Sequence, residues 1–119
     1  MVSYKTILYE KQRSGVLITI NRPEVLNAIS EEVKVELSQA LEEANQDPEI
    51  RGVVLTGSGR AFSSGYDIGA GREFVWPYGL PENTNVAEHI DSQRIKDKGE
   101  QDNLLQIWEM SKPVIAAVN

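Results

Sequence analysis

The stretch Gly52-Val53-Val54-Leu55-Thr56-Gly57, running through Ser58 into Gly59-Arg60-Ala61-Phe62-Ser63-Ser64-Gly65-Tyr66-Asp67-Ile68, decides how the rest of the chain is read. Val53 to Thr56 is a short apolar run that predicts a buried strand ending at Gly57. A strand that opens into a Gly- and Ser-rich turn leaves backbone N–H groups without ladder partners. Such groups are fixed dipoles, able to hold an oxyanion without reorganising during a reaction. A dinucleotide fingerprint would need glycine where Phe62 stands, and a P-loop would end in Gly-Lys-Ser/Thr where this loop ends in Gly-Tyr-Asp. The nucleophile elbow Gly-x-Ser-x-Gly fails on spacing. By residue type alone, an ordinary strand-to-loop turn is the better fit.

Composition sets the outer limits. The 119 residues suit one domain or part of a larger one, and the balance of 40% hydrophobic and 25% charged residues is that of a globular protein. Eighteen acidic against 12 basic residues give a net charge of -6, with no basic stripe, so binding to nucleic-acid phosphates is not expected. The absence of cysteine excludes disulfide scaffolds, thiolate metal sites and cysteine nucleophiles. Met1 to Lys5 lead directly into a strand-like run without a signal or transit pattern, and no apolar stretch approaches the roughly 20 residues that span a bilayer. The expectation is a cytoplasmic protein with no membrane partner.

Outward from the loop, Tyr4 to Glu10 alternates, with Ile7 and Tyr9 on one side and Thr6 and Leu8 on the other. Lys11 to Gly15 is a turn and Val16 to Asn21 a second strand, so the pair predicts a hairpin. Pro23 cannot continue a ladder and restricts Arg22, which ends that strand. Ser30 is a good N-cap, Glu31 and Glu32 complement the helix dipole, and Val33, Leu37, Ala40, Leu41 and Ala44 recur at helical spacing. A helix over 31–45 follows, with Glu36, Glu42 and Glu43 on its solvated face and Asp47-Pro48 at its end. The order helix then strand suits an α/β unit.

Beyond Ile68 the chain is irregular from 69 to 85, with Phe74, Trp76 and Tyr78 interleaved among glycines and prolines, which predicts an ordered lid or insertion loop. Residues 86–110 are expected to be mostly helical, with Gly99 an interruption, and Val114 to Val118 form a last apolar strand. Trp76 and Trp108 are expected to serve lid and core packing. His89, the only histidine, lies between carboxylates, a pattern that more often marks a solvated helix face than a metal site, so no metal is expected. Lys112 is expected to be a strand-opening surface charge.

Four segments in order carry a resemblance: Val16 to Glu24; Leu26-Asn27-Ala28; Gly52 to Gly57 with Arg60 to Ile68; and Lys112 to Asn119. They resemble the N-terminal half of the crotonase superfamily of enoyl-CoA hydratases and isomerases across nearly the whole chain, 1–119. The resemblance implies an α/β fold, a crotonase-like spiral of ββα units, here truncated after the first half. It implies an acyl-CoA thioester as substrate, coenzyme A entering only as part of that substrate with no separate cofactor, and assembly as a trimer or hexamer when complete. By the family motif Ala-Gly-x-Asp, matched by Ser64-Gly65-Tyr66-Asp67, the first backbone oxyanion donor is expected at Ser64. Gly65 would let the backbone approach the ligand, and Tyr66 would alter the acyl pocket. Val25 and Ala28 would flank the pantetheine arm, Phe62 would shape its channel, and Ile68 would complete the binding set. Asp67 is expected to hold the loop and not to act as a base.

The resemblance also places the second donor and the acidic residues on elements beyond Asn119. The expectation is therefore half of an acyl-CoA enzyme, inactive without a complementary C-terminal half or the longer parent chain. The alternative is a non-catalytic partner or oligomerisation subunit of the same fold.

Overall fold

The computed structural model describes residues 3–67 and 105–119, and the elements below lie within them. Strand β1 (Ile7–Gln12) and β2 (Gly15–Ile20) form an antiparallel hairpin closed by Gln12 against Gly15. Arg13 makes the turn with φ 52°. Strand β1 starts three residues after the expected Tyr4 and runs two past Glu10, so the turn is Arg13-Ser14 alone and not Lys11 to Gly15. Lys11, within the strand, pairs with Asp47 and Glu49.

A short 3-10 turn (Pro23–Val25) and helix α1 (Glu31–Gln46) lead to β3 (Gly52–Gly57), which pairs parallel with β2. Strand β4 (Val114–Ala117) pairs parallel with β3, giving one sheet in the order β1-β2-β3-β4. Residues 105–109 are helical and precede β4. The lid expected over 69–85, most of the helix expected over 86–110, and His89 lie outside the described residues.

Helix α1 begins where the sequence predicts. The Ser30 side chain accepts from the Val33 N–H at 3.3 Å, with Glu31 and Glu32 in the first turn. Its inward stripe of Val33, Ala40, Leu41 and Ala44 packs on Ile7, Val16, Ile18, Ile20, Val53 and Leu55 of the sheet, with Leu37 partly buried beside them. The two alanines on this stripe let the helix axis approach the strands closely. Each buried isoleucine or valine contributes about 1.5–3 kcal/mol from the apolar surface it removes from water. At the C-terminal end the Lys112 Nζ donates to the carbonyl of Ala44 at 2.7 Å and to that of Asp47. A cation there satisfies carbonyls that have no helical partner and opposes the dipole. Lys112 is thus a helix cap reached from the start of β4, not a free surface charge.

The expected solvated face of α1 needs a correction. The Glu36 carboxylate accepts from the N–H groups of Lys5 and Thr6, each at 2.7 Å, and from the Thr6 hydroxyl. Glu43 accepts from the Tyr4 hydroxyl at 2.9 Å. Two of the three glutamates therefore fasten the chain that leads into β1. Trp108 is likewise not core: it is 86% exposed.

Burial pushes the Glu36 pKa up, but the bonds from Thr6 and from the Lys5 and Thr6 N–H groups outweigh it and hold the carboxyl below its ordinary value. A depressed folded pKa contributes stability above the unfolded value and loses it as pH falls through the folded one. Urea midpoints measured from neutral pH down are expected to drop as pH passes below 4.5, the ordinary value for this group. Glu36→Gln is expected to flatten part of that drop and to cost about 1–2 kcal/mol at neutral pH, since an amide cannot accept all three bonds.

Candidate functional site

In a parallel sheet, ligands bind at the carboxyl ends of the strands. Here the ends of β2, β3 and β4 converge on one loop cluster. The Ser58 N–H donates to the Ile20 carbonyl at 2.9 Å, and the Asn119 side-chain amide donates to the carbonyls of Gly57 and Gly59 at 3.0 and 2.8 Å. Gly57 is required for a steric reason. A Cβ there would overlap the carbonyl oxygens of Ala61 and Phe62, because the loop folds back over the strand end.

Asn27 organises the cluster. It is fully buried, and both of its amide hydrogens are used, on the carbonyls of Ser58 at 2.8 Å and Ala61 at 2.7 Å. Its Oδ1 accepts from the Arg22 N–H at 2.9 Å, its own N–H donates to the Arg22 carbonyl at 2.8 Å, and its carbonyl accepts from the Ser63 hydroxyl at 2.8 Å. Leu26 and Asn27 both sit at positive φ, 53° and 55°. That conformation disfavours side-chain-bearing residues by about 1–2 kcal/mol each. It is offset by what it achieves, since the tight turn aims the carbonyls of Leu26 and Asn27 at the loop.

The segment 63–67 runs beside residues 26–29 like a short parallel strand, with Ile29 bridged to Tyr66. The Ser64 N–H donates to the Leu26 carbonyl at 3.0 Å, the Ile29 N–H to the Gly65 carbonyl at 2.8 Å, and the Asp67 N–H to the Ile29 carbonyl at 2.9 Å. The Gly65 N–H is taken by the Ser63 hydroxyl at 3.1 Å. Of the four successive N–H groups from Ser64 to Asp67, only that of Tyr66 meets no acceptor among the described residues. The 65–66 peptide is trans, so its N–H points opposite to its C=O. Since that C=O faces Ile29, the Tyr66 N–H faces the open side.

The Ser64 N–H, expected to be a free donor, is spent on Leu26, on the side that binds the loop to the turn. The residue types alone carry no signal for that. It depends on which residues of the loop alternate toward 26–29.

The other expected residues fall around this point. Val25 is exposed beside Ser64, whose hydroxyl lies 3.5 Å from the Val25 carbonyl. Ala28 is buried, and its carbonyl accepts from the Arg22 guanidinium at 2.6 Å. Phe62 packs half-buried against the core. Gly65 has φ +97°, with no atom close to where a Cβ would stand, so conformation and not space calls for glycine there. Asp67 pairs with Arg22 at 3.1 Å. Ile68 lies outside the described residues. Asn27 and Arg22 are the residues whose importance the motif contained but did not explain. No group of three or more His, Cys, Asp or Glu side chains that could hold a metal occurs among the described residues.

A mixed sheet with its packed helix, ending in a strapped loop, is the α/β architecture of part of a crotonase fold. The family model for enoyl-CoA hydratase/isomerase matches residues 10–119, and the chain belongs to that family. It is 38% identical over 118 residues to a probable enoyl-CoA hydratase of Rhodobacter capsulatus, covering 99% of this chain and 40% of that one. A probable peroxisomal enoyl-CoA hydratase 1 of Arabidopsis thaliana is 34% identical, covering 99% and 38%. Among solved structures, an enoyl-CoA hydratase/isomerase from Xanthobacter autotrophicus Py2 superposes with a TM-score of 0.72 at 29% identity, covering 98% of this chain and 39% of that one. The chain thus spans about 40% of the length of the relatives it matches.

Asn27→Asp sets a carboxylate against two carbonyl oxygens, whereas Asn27→Ala only leaves them unpaired. The aspartate variant is expected to lose about 3 kcal/mol or more in chemical denaturation and to be the worse of the two. Both are expected to accelerate tryptic cleavage after the exposed Arg60, the measurement that separates a loosened loop from a global loss.

Proposed function

We propose that these residues form the acyl-CoA-binding part of an enoyl-CoA hydratase/isomerase-type enzyme, contributing one backbone donor to the oxyanion of a thioester enolate. The observation that carries the reading is the Tyr66 N–H, the one amide from Ser64 to Asp67 without an acceptor among the described residues, beside the carboxyl end of the parallel strands. It takes the role first expected of Ser64. As negative charge develops on the thioester oxygen, an amide already held in place stabilises it without reorganisation. Val25 and Ala28 flank the pantetheine arm, Phe62 shapes the channel, and the Arg22–Asp67 pair holds the loop instead of moving protons.

Among the described residues, the carboxylate of the same loop, Asp67, is paired with Arg22 and so is not placed to act as general base. The reading therefore has this chain bind acyl-CoA but turn over no enoyl-CoA unless joined to the second donor and an acidic residue, supplied by further chain or by a partner. The complete protein would assemble as a trimer or hexamer. Exposed Ile115, Val118 and Trp108 favour association as a second reading, in which the chain is a non-catalytic partner subunit of the same fold. Native mass spectrometry followed by an acyl-CoA titration separates the two, as a stable partner complex without acyl-CoA affinity would favour the second.

Backbone donors are tested by ester substitution. Replacing the Tyr66 amide by the hydroxy-acid analogue in the complete enzyme is expected to lower kcat for 2-enoyl-CoA hydration by about 10²- to 10³-fold with stability little changed. The same replacement at Ser64 is expected to lower the unfolding midpoint instead, because it removes the bond to Leu26. Equal kcat losses at both positions would sink the assignment. The 119-residue chain alone is expected to give no turnover above the uncatalysed rate in the same assay.

A further inference from the structure

Tyr66 is 53% exposed, so packing alone does not hold its ring. The ring nevertheless has a partner: the Lys34 ammonium lies 4.7 Å from its centroid. Lysines on a helix surface are ordinarily solvated, yet the Lys34 side chain is only 12% exposed. Its Nζ also sits 3.1 Å from a carboxylate oxygen of Glu31, one turn back on α1. The stack therefore runs Glu31, Lys34, Tyr66, from the capped first turn of α1 onto the loop.

This arrangement bears on the donor through the peptide plane. Gly65, at φ +97°, can rotate readily about its own backbone bonds, and the 65–66 peptide carries both the Gly65 C=O and the Tyr66 N–H. The Ile29 N–H fixes the C=O end of that plane at 2.8 Å. The other end is the Tyr66 Cα, and the ring over Lys34 restrains it. Without the stack, the ring would exchange among rotamers, and the Tyr66 Cα would be held only through the Asp67 N–H bond to the Ile29 carbonyl.

Resting on the functional reading above, we propose that Lys34 is a positioning residue: through the face of the Tyr66 ring it fixes the aim of the Tyr66 N–H. It also parks a bulky side chain on α1, so that the ring is not a wall of the acyl pocket. The cation is the active feature, which makes arginine an acceptable substitute and a neutral side chain not.

The test uses the complete polypeptide that carries these residues, with 2-enoyl-CoA as substrate and upfield ring-current shifts of the Lys34 ε-protons as an independent readout. Lys34→Ala is expected to lower kcat by about tenfold while KM stays within about twofold, because a misaimed donor costs the transition state more than the bound substrate. Lys34→Arg is expected to restore most of kcat, and Tyr66→Leu to abolish the ring-current shift and reproduce the alanine loss. Wild-type kcat in Lys34→Ala, or an arginine variant as slow as the alanine one, overturns the proposal. So does a loss that appears equally in KM and in the unfolding midpoint, which would mark Lys34 as general support for the loop. If the ring-current shift is present but the wild-type protein neither binds nor turns over acyl-CoA, the functional reading falls and the positioning role falls with it. Turnover without the shift overturns the positioning role alone.

Discussion

Everything at the carboxyl end of the sheet depends on the buried amide of Asn27. One planar group with two donors and one acceptor joins the turn after β2, the end of β3 and the loop beyond it, and none of its hydrogen-bonding capacity is wasted. Buried polar groups of this kind are costly unless fully partnered, and fully partnered they specify one arrangement of the backbone. Two residues at positive φ are tolerated because this network over-determines them. The ion pair of Arg22 with Asp67 then closes the loop from the other side.

Rigidity is distributed with the same logic along the rest of the chain. Helix α1 is fixed at its start by Ser30, in its middle by Glu36 gripping the segment before β1, and at its end by Lys112 reaching from the start of β4. The groups that fasten the middle and the end of α1 come from distant parts of the sequence, so the helix, the hairpin and the last strand order one another. The first turn of that helix is also the surface on which the Tyr66 ring rests. Mechanical support for the loop thus comes from the helix as well as from the sheet.

Much of the fold was legible in local pattern. The apolar run Gly52–Gly57 and the cap at Ser30 stand where the residues predict them, because burial and capping are decided by neighbours in sequence. The turn of the hairpin is tighter than the residues suggest, since Lys11 and Gln12 carry no apolar alternation and Arg13-Ser14 lacks the usual turn signal. Glu36 looked solvated because the segment that covers it is 30 residues away. The free amide expected at Ser64 stands two residues on, at Tyr66, for a related reason. Which N–H points outward is set by register against residues 26–29, a relation between segments that no single segment contains.

That register has an evolutionary corollary. Because the outward amide at position 66 is selected by alternation and not by side-chain chemistry, its direction is more sensitive to the length of the loop than to the residue that stands there. A new side chain at 66 changes how firmly the amide is held but not which way it faces. One residue inserted or deleted between Gly57 and Tyr66 would instead reverse the alternation, turning the donor inward and a bonded amide outward. Diversity in such a site can therefore accumulate by replacement at fixed spacing, with the chemistry inherited from the count of residues.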